Sequence, residues 1–129
     1  MATKPTQDFV AVFARLKHIL QKYERGVLKA NPNEPGNYTL TGPASELTRG
    51  RDLWFGAVMI KKNYVSYHLM PIYGFPDLLD GITPELRKHM QGKSCFNFKV
   101  VDEKLFEELA KLTEKGVQRF QKAGLLGSS

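Results

Sequence analysis

The chain has 129 residues, 42% of them hydrophobic, a single cysteine and a formal net charge of +6. That length supports one domain with a real core and is short for two, while the lone Cys95 excludes an intrachain disulfide, a zinc knuckle and a two-cysteine redox pair. Its apolar runs fall short of the roughly 20 residues that span a bilayer, and no apolar segment precedes a cleavage site near the N-terminus, so a cytoplasmic protein with no membrane partner is predicted. The positive charge is uneven: residues 1–30 carry six Lys/Arg against two acids, and residues 61–100 six against three. Such asymmetry attracts anionic partners, although a solvated, solubilising surface has the same composition.

From Asp8 to about Arg25, Phe9, Val12, Phe13, Leu16, Ile19, Leu20 and Tyr23 fall within one arc of about 120°, which predicts an amphipathic helix ended by Gly26. The opposite arc carries Arg15, His18, Lys22 and Arg25 as a basic stripe. Residues 30–50 are rich in Pro, Gly and Asn, with Tyr38–Thr41 the one strand expected there, short and near an edge. The run Asp52–Tyr73 reads as two long strands on a tight turn. With Lys62-Asn63 as a two-residue turn, Ile60 faces Val65, Val58 faces Tyr67 and Gly56 faces Leu69, and Met59, Ala57 and Phe55 face Ser66, His68 and Met70. A three-residue turn would change that pairing, since Lys62 does not favour the left-handed conformation. In the first register Trp54, Val58, Ile60, Val65, Tyr67 and Leu69 share a helix-covered face, and Phe55, Ala57, Met59, Tyr64, Ser66, His68 and Met70 share the other.

Pro71 and Pro76 bracket the exit from the hairpin, and Thr83-Pro84-Glu85 starts a short helix to about Gln91 that Gly92 stops. Ser94–Val100 alternates as a strand with Phe96, Phe98 and Val100 on one side and Cys95, Asn97 and Lys99 on the other. Asp102 caps a final helix whose Leu105, Leu109, Leu112, Gly116 and Phe120 share one face, with Gly116 placed for close approach to the sheet, and Gly124 stops it.

At Tyr38-x-Leu-x-Gly-Pro, Phe55-Gly-Ala-Val, Lys62-Asn-Tyr-Val-Ser-Tyr-His-Leu-Met-Pro, Pro84-Glu-Leu-Arg-Lys and Gly92-Lys-Ser-Cys-Phe-Asn-Phe, the chain resembles the YdhG-like domains of unknown function, within the frataxin-like and YjbR-like structural group. The resemblance covers roughly residues 8–122 and implies a single α+β domain, an antiparallel β-sheet with the N- and C-terminal helices packed on one face. It implies no common activity. Frataxin-like relatives include proposed iron carriers that use a row of carboxylates on the first helix, because hard cations prefer oxygen ligands. Here that helix carries Arg15, His18, Lys22 and Arg25, so no metal site of that kind is expected.

Gly92-Lys93-Ser94 matches the end of a P-loop, but Arg87 stands where the motif requires Gly, and the tripeptide follows a helix and precedes a strand, the reverse of the required order. No nucleotide-hydrolysing site is expected at this tripeptide. Lys93 and Ser94 beside Arg87 and Lys88 could still hold an anion, the competing reading being an ordinary helix stop and strand start. A His68–Cys95 pair would suggest a nucleophile with its base or a partial metal site, but catalysis also needs an orienting group and oxyanion donors, and zinc at least three ligands. Neither is identifiable, and both residues fit ordinary sheet packing. The expectation is therefore a binding module without catalysis or cofactor. Its partner would be a small or anionic ligand, or a protein, held on the open sheet face and the loop from Pro71 to Lys93. His68 and Asn97 would supply hydrogen bonds, Arg87 and Lys93 charge, and Tyr73 a stacking wall, with Cys95 beside them. The alternative is weak nucleic-acid binding through Arg15, His18, Lys22, Arg25, Lys61 and Lys62, with a frataxin-like metal carrier or an enzyme ranked below both.

Overall fold

A computed structural model describes residues 5–46 and 48–126. Helix α1 (Pro5–Gln21) leads into β1 (Lys29–Glu34), β2 (Asn37–Gly42), β3 (Leu53–Ile60) and β4 (Val65–Leu69). Helix α2 (Met70–Gly74), a 3₁₀ turn (Pro76–Leu79) and helix α3 (Pro84–Arg87) then connect to β5 (Met90–Gln91), β6 (Cys95–Phe98) and the long α4 (Glu103–Lys122). The strands form one antiparallel sheet in the order β1-β2-β3-β4-β6-β5. The fold is α+β, as expected, and α1 and α4 pack on the same side of the sheet. Among the described residues no helix is long and apolar enough to cross a membrane.

The helix-covered face is built from the alternating residues Tyr38 and Leu40 of β2, Val58 of β3, Val65, Tyr67 and Leu69 of β4, and Phe96 and Phe98 of β6, all buried. Val12, Leu16 and Leu20 of α1 and Leu105, Leu109, Leu112 and Phe120 of α4 close over them. Tyr67 lies at the centre of this core with its hydroxyl 2.5 Å from Thr113 Oγ1. Thr113 donates its own proton to the Leu109 carbonyl at 2.8 Å, so Tyr67 is the donor to Thr113. Asp102 caps α4 through the Leu105 N–H. The helix ends in a Schellman arrangement in which Leu125 N–H donates to Phe120 O and Gly124 N–H to Gln121 O, with Gly124 at φ 83°.

The β3–β4 register follows the two-residue turn: Ile60 opposite Val65, Val58 opposite Tyr67, Gly56 opposite Leu69. Several expectations are corrected. The register of β2 on β3 shifts between Leu40, opposite Gly56, and Thr41, opposite Trp54, leaving Phe55 as the extra residue of a bulge. A bulge reverses the faces beyond it. Phe55 turns into the core against Phe120, ring centroids 5.8 Å apart, and Trp54 moves to the open face against His68 at 5.2 Å. Met70 does not pair with Phe55, because Pro71 converts the end of β4 into α2. Tyr38–Thr41 does lie near an edge, but it is not the one strand of its region: β1 pairs outside it across a Pro35-Gly36 turn with Gly36 at φ 81°. Strand β1 has no apolar alternation and contains a proline, which confines it to the edge and hides it from periodicity. Helix α1 stops at Gln21, so Arg25 and Gly26 lie in the turn that follows. Helix α3 stops at Arg87, since Met90 and Gln91 pair with β6. Gly116 does allow a close approach, but to α2: a Cβ there would lie 2.9 Å from Pro71 Cβ.

Candidate functional site

The segment from α2 to β5 forms a cap on the helix side of the sheet, and three ties to α4 hold it. Gly116 admits Pro71. Arg119 makes a two-pronged pair with Asp77 of the 3₁₀ turn, at 2.9 and 2.7 Å, and its guanidinium lies over the Phe75 ring at 5.0 Å. At the start of α3, Thr83 donates both its N–H and its hydroxyl to Glu108, each at 2.7 Å, while its hydroxyl accepts from the Leu86 N–H. These ties leave a cleft of about 680 Å³ at the far side of the cap, within the size range of small-molecule sites.

Pro76, Leu79 and Met90 give the cleft its apolar surface, with the buried Ile72 behind them. Tyr73, Arg87, Gly92 and Lys93 complete it. Tyr73 is 59% exposed, too open to be a core residue, and Lys93 Nζ stands 6.0 Å from its ring centroid. Arg87 is tethered through one N–H to the Leu79 carbonyl at 3.0 Å, which places a cation beside the apolar wall and leaves the rest of the guanidinium for a ligand. Gly92, at φ 76°, makes the β5–β6 turn that brings Lys93 to the mouth. No carboxylate lines the cleft among the described residues.

Three of the six residues expected to bind ligand therefore meet here: Tyr73, Arg87 and Lys93. The other three, His68, Cys95 and Asn97, lie together on the opposite, open face of the sheet. His68 is directly across from Cys95, and Ser66 from Asn97, on the adjacent strands β4 and β6. The Cys95 thiol donates to Asn97 Oδ1 at 3.4 Å, and Asn97 Nδ2 donates to Gln91 Oε1. Burial pushes the Cys95 thiol above its ordinary range, against nucleophilic use. Burial, then the nearby Lys61, holds the His68 imidazole below 6.5. Its Nδ1 is buried with no hydrogen-bond partner among the described residues, so nothing orients the ring as a catalytic base. Two donors also fall short of a metal set.

The basic stripe is divided as well. Arg15 is engaged in a bidentate pair with Glu103 at the start of α4. His18 and Lys22 border a groove between α1 and α4 that also holds Glu107, Lys111 and Glu114, so its charge is mixed. Arg25 lies in the turn after α1, and Lys61 and Lys62 lie at the tip of the β3–β4 hairpin. The apolar lining of the cleft escapes periodicity, because Ile72, Leu79 and Met90 come from three separate short elements. Thr83 and Gly116 are the two sequence marks of the cap's attachment, and the second partner of Thr83, Glu108, lies 25 residues away. Comparison with protein-family models, with curated proteins and with solved structures gives no match to this chain.

Proposed function

We propose that this chain is a cytoplasmic, non-enzymatic binding domain of the YdhG-like kind that its sequence resembles, and that its ligand is a small organic anion held in the cleft beneath the α2–α3 cap. One observation carries the reading: Tyr73, Arg87 and Lys93, chosen for their chemistry, converge on a cleft with an apolar wall and no acidic lining. Apolar surface supplies affinity by excluding water, and a few placed charges supply orientation. Pinning the cap to α4 through Asp77, Thr83 and Pro71 lowers the ordering cost on binding. The open face lacks an oriented base and a reactive thiol, which supports binding over catalysis.

Native mass spectrometry of the protein as purified from cells tests this. A discrete extra mass on the wild type that is missing from the Arg87→Gln/Lys93→Gln variant is expected. A bound mass that survives the double substitution unchanged would contradict it.

A further inference from the structure

The cleft differs from two other grooves of the molecule in the sign of its charge, and it has about twice the volume, 680 against 330 Å³, of the hollow at the α1–β1 turn where Arg25 is the one charge among the described residues. The groove between α1 and α4 mixes Lys22 and Lys111 with Glu107 and Glu114, and the one beside α3 mixes Lys104 with Glu85, Asp102 and Glu108. In the cap cleft the charge is of one sign and sits with Arg87 and Lys93, while Pro76, Leu79 and Met90 present hydrocarbon and thioether side chains over the buried Ile72. A compact inorganic anion would use the charges and leave that apolar surface wet. A neutral apolar molecule would cover the wall but leave both cations without a counter-charge in a partly dehydrated mouth.

We infer that the cleft selects amphipathic organic acids, an apolar aliphatic or aromatic body lying along Pro76, Leu79 and Met90 with a single carboxylate, sulfonate or phosphate head between Arg87 and Lys93. This rests on the cleft being the ligand site. Arg87 suits the head because its planar guanidinium is already fixed by the Leu79 carbonyl, so less freedom is lost when it takes an oxyanion. Lys93 contributes a mobile point charge. Tyr73 flanks Lys93 and offers a ring face to a flat body, the ammonium standing off that face at 6.0 Å.

The test uses two fluorescent probes of nearly the same shape, anilinonaphthalene sulfonate, an anion, and phenylnaphthylamine, which is neutral, with decanoate as competitor. The wild type is expected to bind the sulfonate at one site and release it to decanoate. Arg87→Gln and Lys93→Gln are each expected to weaken the sulfonate by about tenfold, with Arg87→Lys retaining more affinity than Arg87→Gln and the neutral probe unchanged throughout. Unfolding midpoints equal to wild type confirm that the variants fold. Equal binding of both probes, insensitive to the two substitutions but abolished by Leu79→Arg, would overturn the selection for acids while leaving the cleft as the site. Sulfonate binding untouched by Leu79→Arg as well would overturn both.

Discussion

Tyr67 carries a hydroxyl into the middle of the core, and its fate shows how finely the residues are placed. Burial raises its phenol well above the ordinary value, so it remains a neutral donor. Tyr67→Phe removes one donor and leaves Thr113 bonded to Leu109, at an expected cost of about 1 kcal/mol. Thr113→Val strands the buried Tyr67 hydroxyl and should cost more, about 2 kcal/mol; urea midpoints of the two variants check the order. Gly116→Ala should destabilise despite the better helix propensity of alanine, because its Cβ would meet the Pro71 ring at 2.9 Å. Propensity favours alanine by about 1 kcal/mol, whereas overpacking costs about 1–3 kcal/mol. A rise in midpoint would refute that close contact. The burial of His68 sets the sign of a pH dependence. Its folded-state pKa is below 6.5, so the unfolded chain takes the proton first. Stability from this residue is full above the unfolded value and falls as pH drops toward the folded one. His68→Gln should flatten the change in midpoint between about pH 7 and about pH 5.

At the scale of elements, the cap from α2 to α3 is the part whose shape matters most and whose sequence is least regular. Glu108→Ala removes both acceptors of Thr83 and should raise amide exchange at Leu86 while weakening ligand by up to about tenfold, with little loss of global stability. Unaltered exchange there would mean that the tie does not hold the cap. The long periodic elements were legible in the sequence: both terminal helices, the β3–β4 register, the Thr83 and Asp102 caps and the stop at Gly124. The places that were not legible share a cause. A bulge at Phe55 inserts one residue, and since the side-chain period of a strand is two, Trp54 and Phe55 exchange faces. Strand β1 is held by backbone pairing across Pro35-Gly36, which leaves no side-chain alternation to read. Of the candidate site, the charged and aromatic members Tyr73, Arg87 and Lys93 were legible by chemistry. Ile72, Leu79 and Met90 were not, because residues from three short elements meet only in three dimensions.

Over the whole molecule, the sheet separates two surfaces that sequence alternation had merged into one. The open face carries Trp54, His68, Cys95 and Asn97, while the helix side carries the cap and its cleft. The positive charge that dominates the composition is partly consumed by pairs such as Arg15–Glu103 and Arg119–Asp77 on the outside of the helical layer. Arg87 and Lys93 stand apart from those pairs, at the cleft. The single tryptophan reports on the opposite face, 5.2 Å from His68, and so serves as an internal control. The most direct measurement is a titration of the amide correlation spectrum with anilinonaphthalene sulfonate, including the Trp54 indole N–H. Ligand in the cleft predicts movement at Ile72, Tyr73, Leu79, Met90 and Lys93 with the indole signal still; movement of the Trp54 indole with His68 and Asn97, and none at Ile72 or Leu79, would contradict it.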